Sequence, residues 1–151
     1  VDIYLPDLKY YSSNISQKYS NAPNYFKIAT KAIEEMYNQV GSPKFNTEGI
    51  ITKGLIVRHL VLPGHIEDSK KILKYLYDTY KNNIYISIMN QYTPVRTTPY
   101  PNLCRPLTKK EYNEVIDYAY NLGIRNAFVQ DGETSKESFI PIFTDSKQNK
   151  F

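Results

Sequence analysis

The run Leu55-Ile-Val-Arg-His-Leu-Val-Leu62, stopped by Pro63-Gly64, constrains the fold more than any other part of the chain. It is apolar at odd and even positions alike, so a strand here presents apolar side chains to both faces of its sheet. A half-solvated antiparallel strand would alternate instead, whereas a parallel strand covered by helices reads as one continuous apolar run. The run is also far shorter than the roughly 18 residues needed to cross a membrane as a helix, and no other apolar run comes closer.

The flanking segments repeat a strand-then-helix pattern. Val1, Ile3 and Leu5 alternate with Asp2, Tyr4 and Pro6, which predicts a strand leading into Asp7-Leu8-Lys9. A chain that opens inside a strand is expected to have a partner strand upstream of Val1. After a polar stretch, Asn21-Ala22-Pro23 predicts a helix start, with Asn21 or Ser20 as N-cap. Phe26, Ala29, Ile33, Met36, Tyr37 and Val40 make its buried stripe, and Gly41 ends it. Residues 45–52 suggest a small hairpin around Glu48-Gly49. Asp68 or Ser69 is placed to cap a second helix carrying Ile72, Leu73, Leu76 and Tyr80, with Asn82-Asn83 as its end. A third strand follows at 84–89, then a proline-rich loop at 93–107. Thr108 and Glu111 form a capping box that opens a helix through Tyr112, Val115, Ile116, Ala119 and Leu122 to Gly123. Residues 127–130 read as a short strand and 139–143 as a final apolar segment.

This order predicts one α/β domain over 1–151, with a parallel sheet and right-handed crossovers. Three or four parallel strands do not close a barrel, so the residues by themselves predict an open parallel α/β unit whose first strand leaves an unpaired edge. The net charge of +4 does not point to nucleic acid, because the lysines are dispersed among acidic residues with no block of like charge. Cys104 is the sole cysteine, which excludes an internal disulfide and any all-cysteine metal site built by this chain alone. The 15 Tyr, beside 6 Phe and no Trp, fit the codon usage of an AT-rich genome better than a binding surface. No signal peptide or membrane span is visible, and the cytoplasm is the expected compartment.

Ligands of parallel α/β folds sit beyond the C-terminal ends of the strands, so the polar residues there carry the chemistry. Period two places Asp7 and Lys9 on one face, a pair able to grip the ammonium and carboxylate of a zwitterion or simply to pair with each other. Arg58 lies within the most apolar strand, where it requires an acidic partner or a ligand. His59 points the other way and reads as a hydrogen-bonded packing residue. His65, after the Pro-Gly turn, reads as surface, and two histidines six positions apart match no zinc motif. Cys104 has no histidine nearby in sequence and is not expected to be catalytic. No phosphate loop, GxGxxG or HExxH is present.

Together, Val1-Asp-Ile-Tyr-Leu-Pro-Asp-Leu-Lys9, Ile56-Val-Arg-His-Leu-Val-Leu-Pro-Gly64 with Asp68-Ser69, Ile86-Ser-Ile-Met-Asn-Gln-Tyr92 and Arg105-Pro-Leu-Thr-Lys-Lys-Glu-Tyr112 resemble the radical S-adenosylmethionine (SAM) superfamily. The nearest likeness is to proteins related to the activating enzyme of pyruvate formate-lyase. The resemblance implies the C-terminal half of a partial (β/α)6 barrel. It also implies a parent enzyme that uses SAM and a 4Fe–4S cluster for reductive SAM cleavage and hydrogen abstraction, including glycyl radical generation. The family's CxxxCxxC cluster loop lies in the N-terminal half, so this chain supplies no metal ligand and is expected to be inactive alone. By the same resemblance Asp7 and Lys9 hold SAM's methionyl end, Arg58 lines the barrel, and Met89, Gln91 and Tyr92 lie near the adenosine. The implied partners are SAM, a flavodoxin- or ferredoxin-type electron donor and a protein substrate such as a glycyl radical enzyme, with no nucleic acid and no membrane. Two other readings of the residues stand beside it: a non-catalytic peptide- or partner-binding α/β module, and a flavodoxin-like phosphate-binding domain that lacks the glycine-rich first turn.

Overall fold

In a computed structural model that describes residues 2–130, the apolar run is the centre of a mostly parallel sheet. The elements in order are β1 (Ile3–Tyr4), α1 (Ser13–Ser20), α2 (Tyr25–Val40), β2 (Lys44–Phe45), β3 (Ile51–Leu60), α3 (Ile66–Tyr80), β4 (Tyr85–Met89), a 3₁₀ turn (Pro101–Cys104), α4 (Lys109–Leu122) and β5 (Ala127–Val129). The spatial order is β1-β3-β4-β5, with every pair on this path parallel. β2 pairs antiparallel with the start of β3, forming the expected hairpin. The final apolar segment at 139–143 lies outside the described residues.

The two faces of the sheet differ. Leu55, Val57 and Val61 from the β3 run, Ile86 and Ile88 from β4, and Ala127 and Val129 from β5 pack in one core with Ile33 of α2, Leu73 of α3 and Ile116 of α4. The opposite face gathers Ile56, Tyr85 and Phe128, with Ile3 and Ile51 against them, and among the described residues draws on strands alone. Tyr85 and Phe128 stack there with centroids 5.3 Å apart, and Leu5 remains 53% exposed. Among the described residues strand order does not reverse, and the three long helices α2, α3 and α4 pack on one side.

Several local expectations change. The polar stretch after β1 is a helix, α1, whose serines, asparagine and glutamine offer no apolar stripe to read. Asn21 ends α1 rather than starting α2: its backbone is left-handed, at φ +52°, and its amide bonds back to the Gln17 and Ser16 carbonyls. Asparagine tolerates that conformation better than most residues. α2 starts later, after Asn24, and α3 starts earlier than expected, at Ile66 after His65. Asp68 and Ser69 sit inside the first turn of α3, where both are buried. β1 covers only two residues, yet Pro6 and Leu8 still exchange hydrogen bonds with Arg58 of β3 at 2.8 and 2.9 Å.

The capping box of α4 forms as expected and extends further. Glu111 bonds back to Thr108 N, takes two hydrogen bonds from Arg105 at 2.9 and 2.8 Å, and accepts one from Gly64 N at 2.9 Å. One carboxylate therefore ties the proline-rich loop, the Pro63-Gly64 turn and α4 together. The Arg105 guanidinium holds that carboxyl down at about 2, against an ordinary 4.5. Glu111→Gln is expected to cost about 1–3 kcal/mol, read as a lowered urea midpoint with an unchanged slope.

Candidate functional site

The C-terminal ends of β1, β3 and β4 meet around a cleft of about 270 Å³. Parallel register brings Asp7 opposite Arg58, and the pair closes as an ion pair, Arg58 Nε to Asp7 Oδ1 at 2.7 Å. Arg58 is not buried as its apolar neighbours suggested: its side chain is 45% exposed, because among the described residues no helix packs on the sheet face it occupies. Its need for an acidic partner is met by Asp7, which also raises the guanidinium's pKa through their hydrogen bond. An ion pair this exposed adds at most about 1 kcal/mol to stability, so its value lies in where it puts the groups.

Lys9, Met89 and Tyr92 line the same cleft, joined by Tyr10, Leu60 and Leu62. Gln91 is exposed and does not line it. Tyr10 escaped prediction because the chain has left the sheet by that point and alternation no longer reports orientation. Its hydroxyl hydrogen-bonds Ser20 at 2.8 Å, and its ring meets Tyr25 edge-on. Tyr92 donates to the Leu103 carbonyl at 2.8 Å, holding the proline-rich loop against the end of β4. The tyrosine excess thus has structural uses that composition did not reveal.

Tyr25 fixes the backbone of the charged pair, since its hydroxyl accepts from Lys9 N at 2.8 Å and donates to the Asp7 carbonyl at 3.2 Å. The Lys9 ammonium makes no hydrogen bond or ion pair among the described residues, and Arg58 uses only Nε on Asp7. The cleft therefore presents an ammonium and a free guanidinium edge beside one carboxylate, above aliphatic side chains. Such a set suits a small anion or zwitterion with an apolar tail: the cations take a carboxylate and Asp7 takes an ammonium.

The other candidates lie apart from the cleft lining. His59 is a packing residue as expected, 2% exposed, with Nδ1 2.8 Å from the Leu8 carbonyl and Nε2 2.7 Å from Ser69 Oγ. His65 is half-buried rather than a free surface group; its Nε2 lies 2.6 Å from the Tyr19 hydroxyl, and it precedes α3 as the N-cap. Cys104 is exposed, with its thiol near the Tyr100 and Thr98 carbonyls. Among the described residues no three His, Cys, Asp or Glu side chains are grouped to hold a metal ion. No helix among them is long and apolar enough to cross a membrane.

Burial lowers the pKa of both histidines from 6.5. The unfolded chain then binds more protons below that value, so stability is full above pH 6.5 and declines as pH falls towards the lowered folded values. Glu111 adds a second loss, beginning near 4.5 and extending to about 2. Urea midpoints measured across pH are expected to fall in these two windows. A midpoint constant from pH 7 down to 4.5 would contradict a neutral, buried His59.

The chain is 30% identical over 128 residues to an uncharacterised protein of Methanocaldococcus jannaschii. The match takes in 82% of this chain and 33% of the relative, so the chain spans about a third of that relative's length. No family model matches the chain, and no solved structure matches it.

Proposed function

We propose that this chain is the C-terminal half of a radical SAM core of partial (β/α)6 type, and that its cleft takes the methionyl end of SAM. One observation carries the reading: Asp7, Lys9, Arg58, Met89 and Tyr92 converge at one cleft at the C-terminal edge of the sheet. These are strand-end positions at which the resemblance places SAM. The unreversed strand order and the three long helices on one face agree with an arc of barrel wall, whose strand-only face would be the interior.

The charges of the cleft fit an α-amino acid head group. Lys9 and the outer edge of Arg58 receive the carboxylate, Asp7 receives the ammonium, and Leu60, Leu62 and Met89 shield the thioether-bearing chain. The 4Fe–4S cluster finds no such fit in this chain, because one exposed cysteine does not furnish the several thiolates it requires. Those ligands fall to the other half of the parent enzyme, along with the surfaces for an electron donor and a protein substrate such as a glycyl radical enzyme. When present, cluster and SAM supply reductive hydrogen abstraction; this chain's part is to bind and orient the methionyl group. Equilibrium dialysis with labelled SAM tests the reading. Binding weaker than that of a complete enzyme, competed by methionine and not by inorganic phosphate, is the expected result. No binding at millimolar SAM, or competition by phosphate alone, overturns it.

A further inference from the structure

Beyond Leu8 the chain leaves the sheet, and the backbone around Lys9 must find partners elsewhere. It finds them on the far side of the sheet from the cleft. The Leu8 carbonyl can only accept, so the 2.8 Å contact makes His59 Nδ1 the protonated nitrogen. His59 Nε2 must then accept, and Ser69 Oγ donates to it at 2.7 Å. One residue earlier on α3, Asp68 receives Tyr11 N on Oδ2 and Ser12 N on Oδ1, both at 2.9 Å. His59, Ser69 and Asp68 are all buried. The first turn of α3 thus reaches through His59 and directly through Asp68 to hold the backbone on both sides of Lys9. His65 gives α3 no side-chain cap, so the polar side chains of this turn serve the neighbouring segment instead.

We propose that His59, Ser69 and Asp68 are positioning residues that set the Lys9 ammonium and Asp7 carboxylate over the cleft without touching ligand. The inference rests on the cleft reading for its purpose, while the brace itself is read without ligand. The two His59 links are buried, the two Asp68 links part-buried, and all are satisfied, so removing one leaves a polar group without its partner and loosens the segment it held. Loosening a pre-set cation lets it adopt arrangements that do not bind, which lowers affinity without altering any contacting residue.

Amide hydrogen exchange on His59→Leu, His59→Asn and Ser69→Ala tests the proposal. His59→Leu is expected to speed exchange at Leu8, Lys9, Tyr11 and Ser12 by roughly tenfold while β4 and α4 keep their protection. SAM affinity should fall by a similar factor. His59→Asn, which restores a donor towards the Leu8 carbonyl, should recover most of both effects. If His59→Leu does not fold, Ser69→Ala gives the same local pattern in milder form. Faster exchange throughout the sheet, or no change at residues 8–12, overturns the proposal. Absence of SAM binding to the wild-type chain counts against the cleft reading alone, because the exchange pattern is measured without ligand.

Discussion

Lys9→Ala is expected to weaken SAM binding by roughly ten- to a hundredfold while leaving the fold intact. Lys9 is exposed and its ammonium makes no hydrogen bond or ion pair among the described residues, so truncation breaks no native polar interaction there. Surface changes of that kind stay within about 0.5 kcal/mol of wild-type stability. A hydrogen bond to a charged group contributes about 1.5–3 kcal/mol, which is the stated range in affinity. Lys9→Arg should fall between the two, because it keeps the charge and changes the reach. A chemical-shift titration of wild type and variants supplies the constants. Equal affinities for wild type and Lys9→Ala would remove Lys9 from the site.

The largest expected loss of stability is at Leu73. Its side chain is fully buried in α3, in the cluster that joins the sheet to α4. Leu73→Ala leaves a cavity that close-packed neighbours fill only in part, at a cost of about 2–5 kcal/mol. A domain of ordinary stability has only about 5–15 kcal/mol in total, so this change alone approaches the limit of folding. Urea denaturation followed by far-UV circular dichroism gives the difference. A loss under about 1 kcal/mol would mean that α3 is loosely held, and the brace from α3 to the Lys9 segment would lose its footing.

The sheet was legible because its central strand is apolar on both faces and its helices carry clean stripes, as at Ile72, Leu73 and Leu76. Most of the cleft was legible for a related reason: alternation from Ile3 to Asp7, and Arg58 within an apolar run, identify side chains that share a face. Gln91, which the resemblance alone placed near the adenosine, follows the end of β4 and is not among the residues lining the cleft. What escaped depends on contacts distant in sequence. α1 has no apolar period, Asn21 looks like a start and serves as a stop, and Asp68 resembles an N-cap while binding Tyr11 and Ser12. Tyr25 carries nothing in its neighbourhood to announce a role beneath Lys9. Local patterns encode period and punctuation, but not which distant backbone a buried polar group will serve.

The most direct measurement is a two-dimensional ¹H–¹⁵N NMR titration of the chain with SAM, carried to millimolar concentration so that weak binding is seen. Shifts are expected to concentrate at Asp7, Lys9, Tyr10, Arg58, Met89 and Tyr92, to be reproduced in part by methionine and to be lost in Lys9→Ala. Shifts centred elsewhere, or none at any concentration, would contradict a methionyl-binding cleft at the ends of these strands.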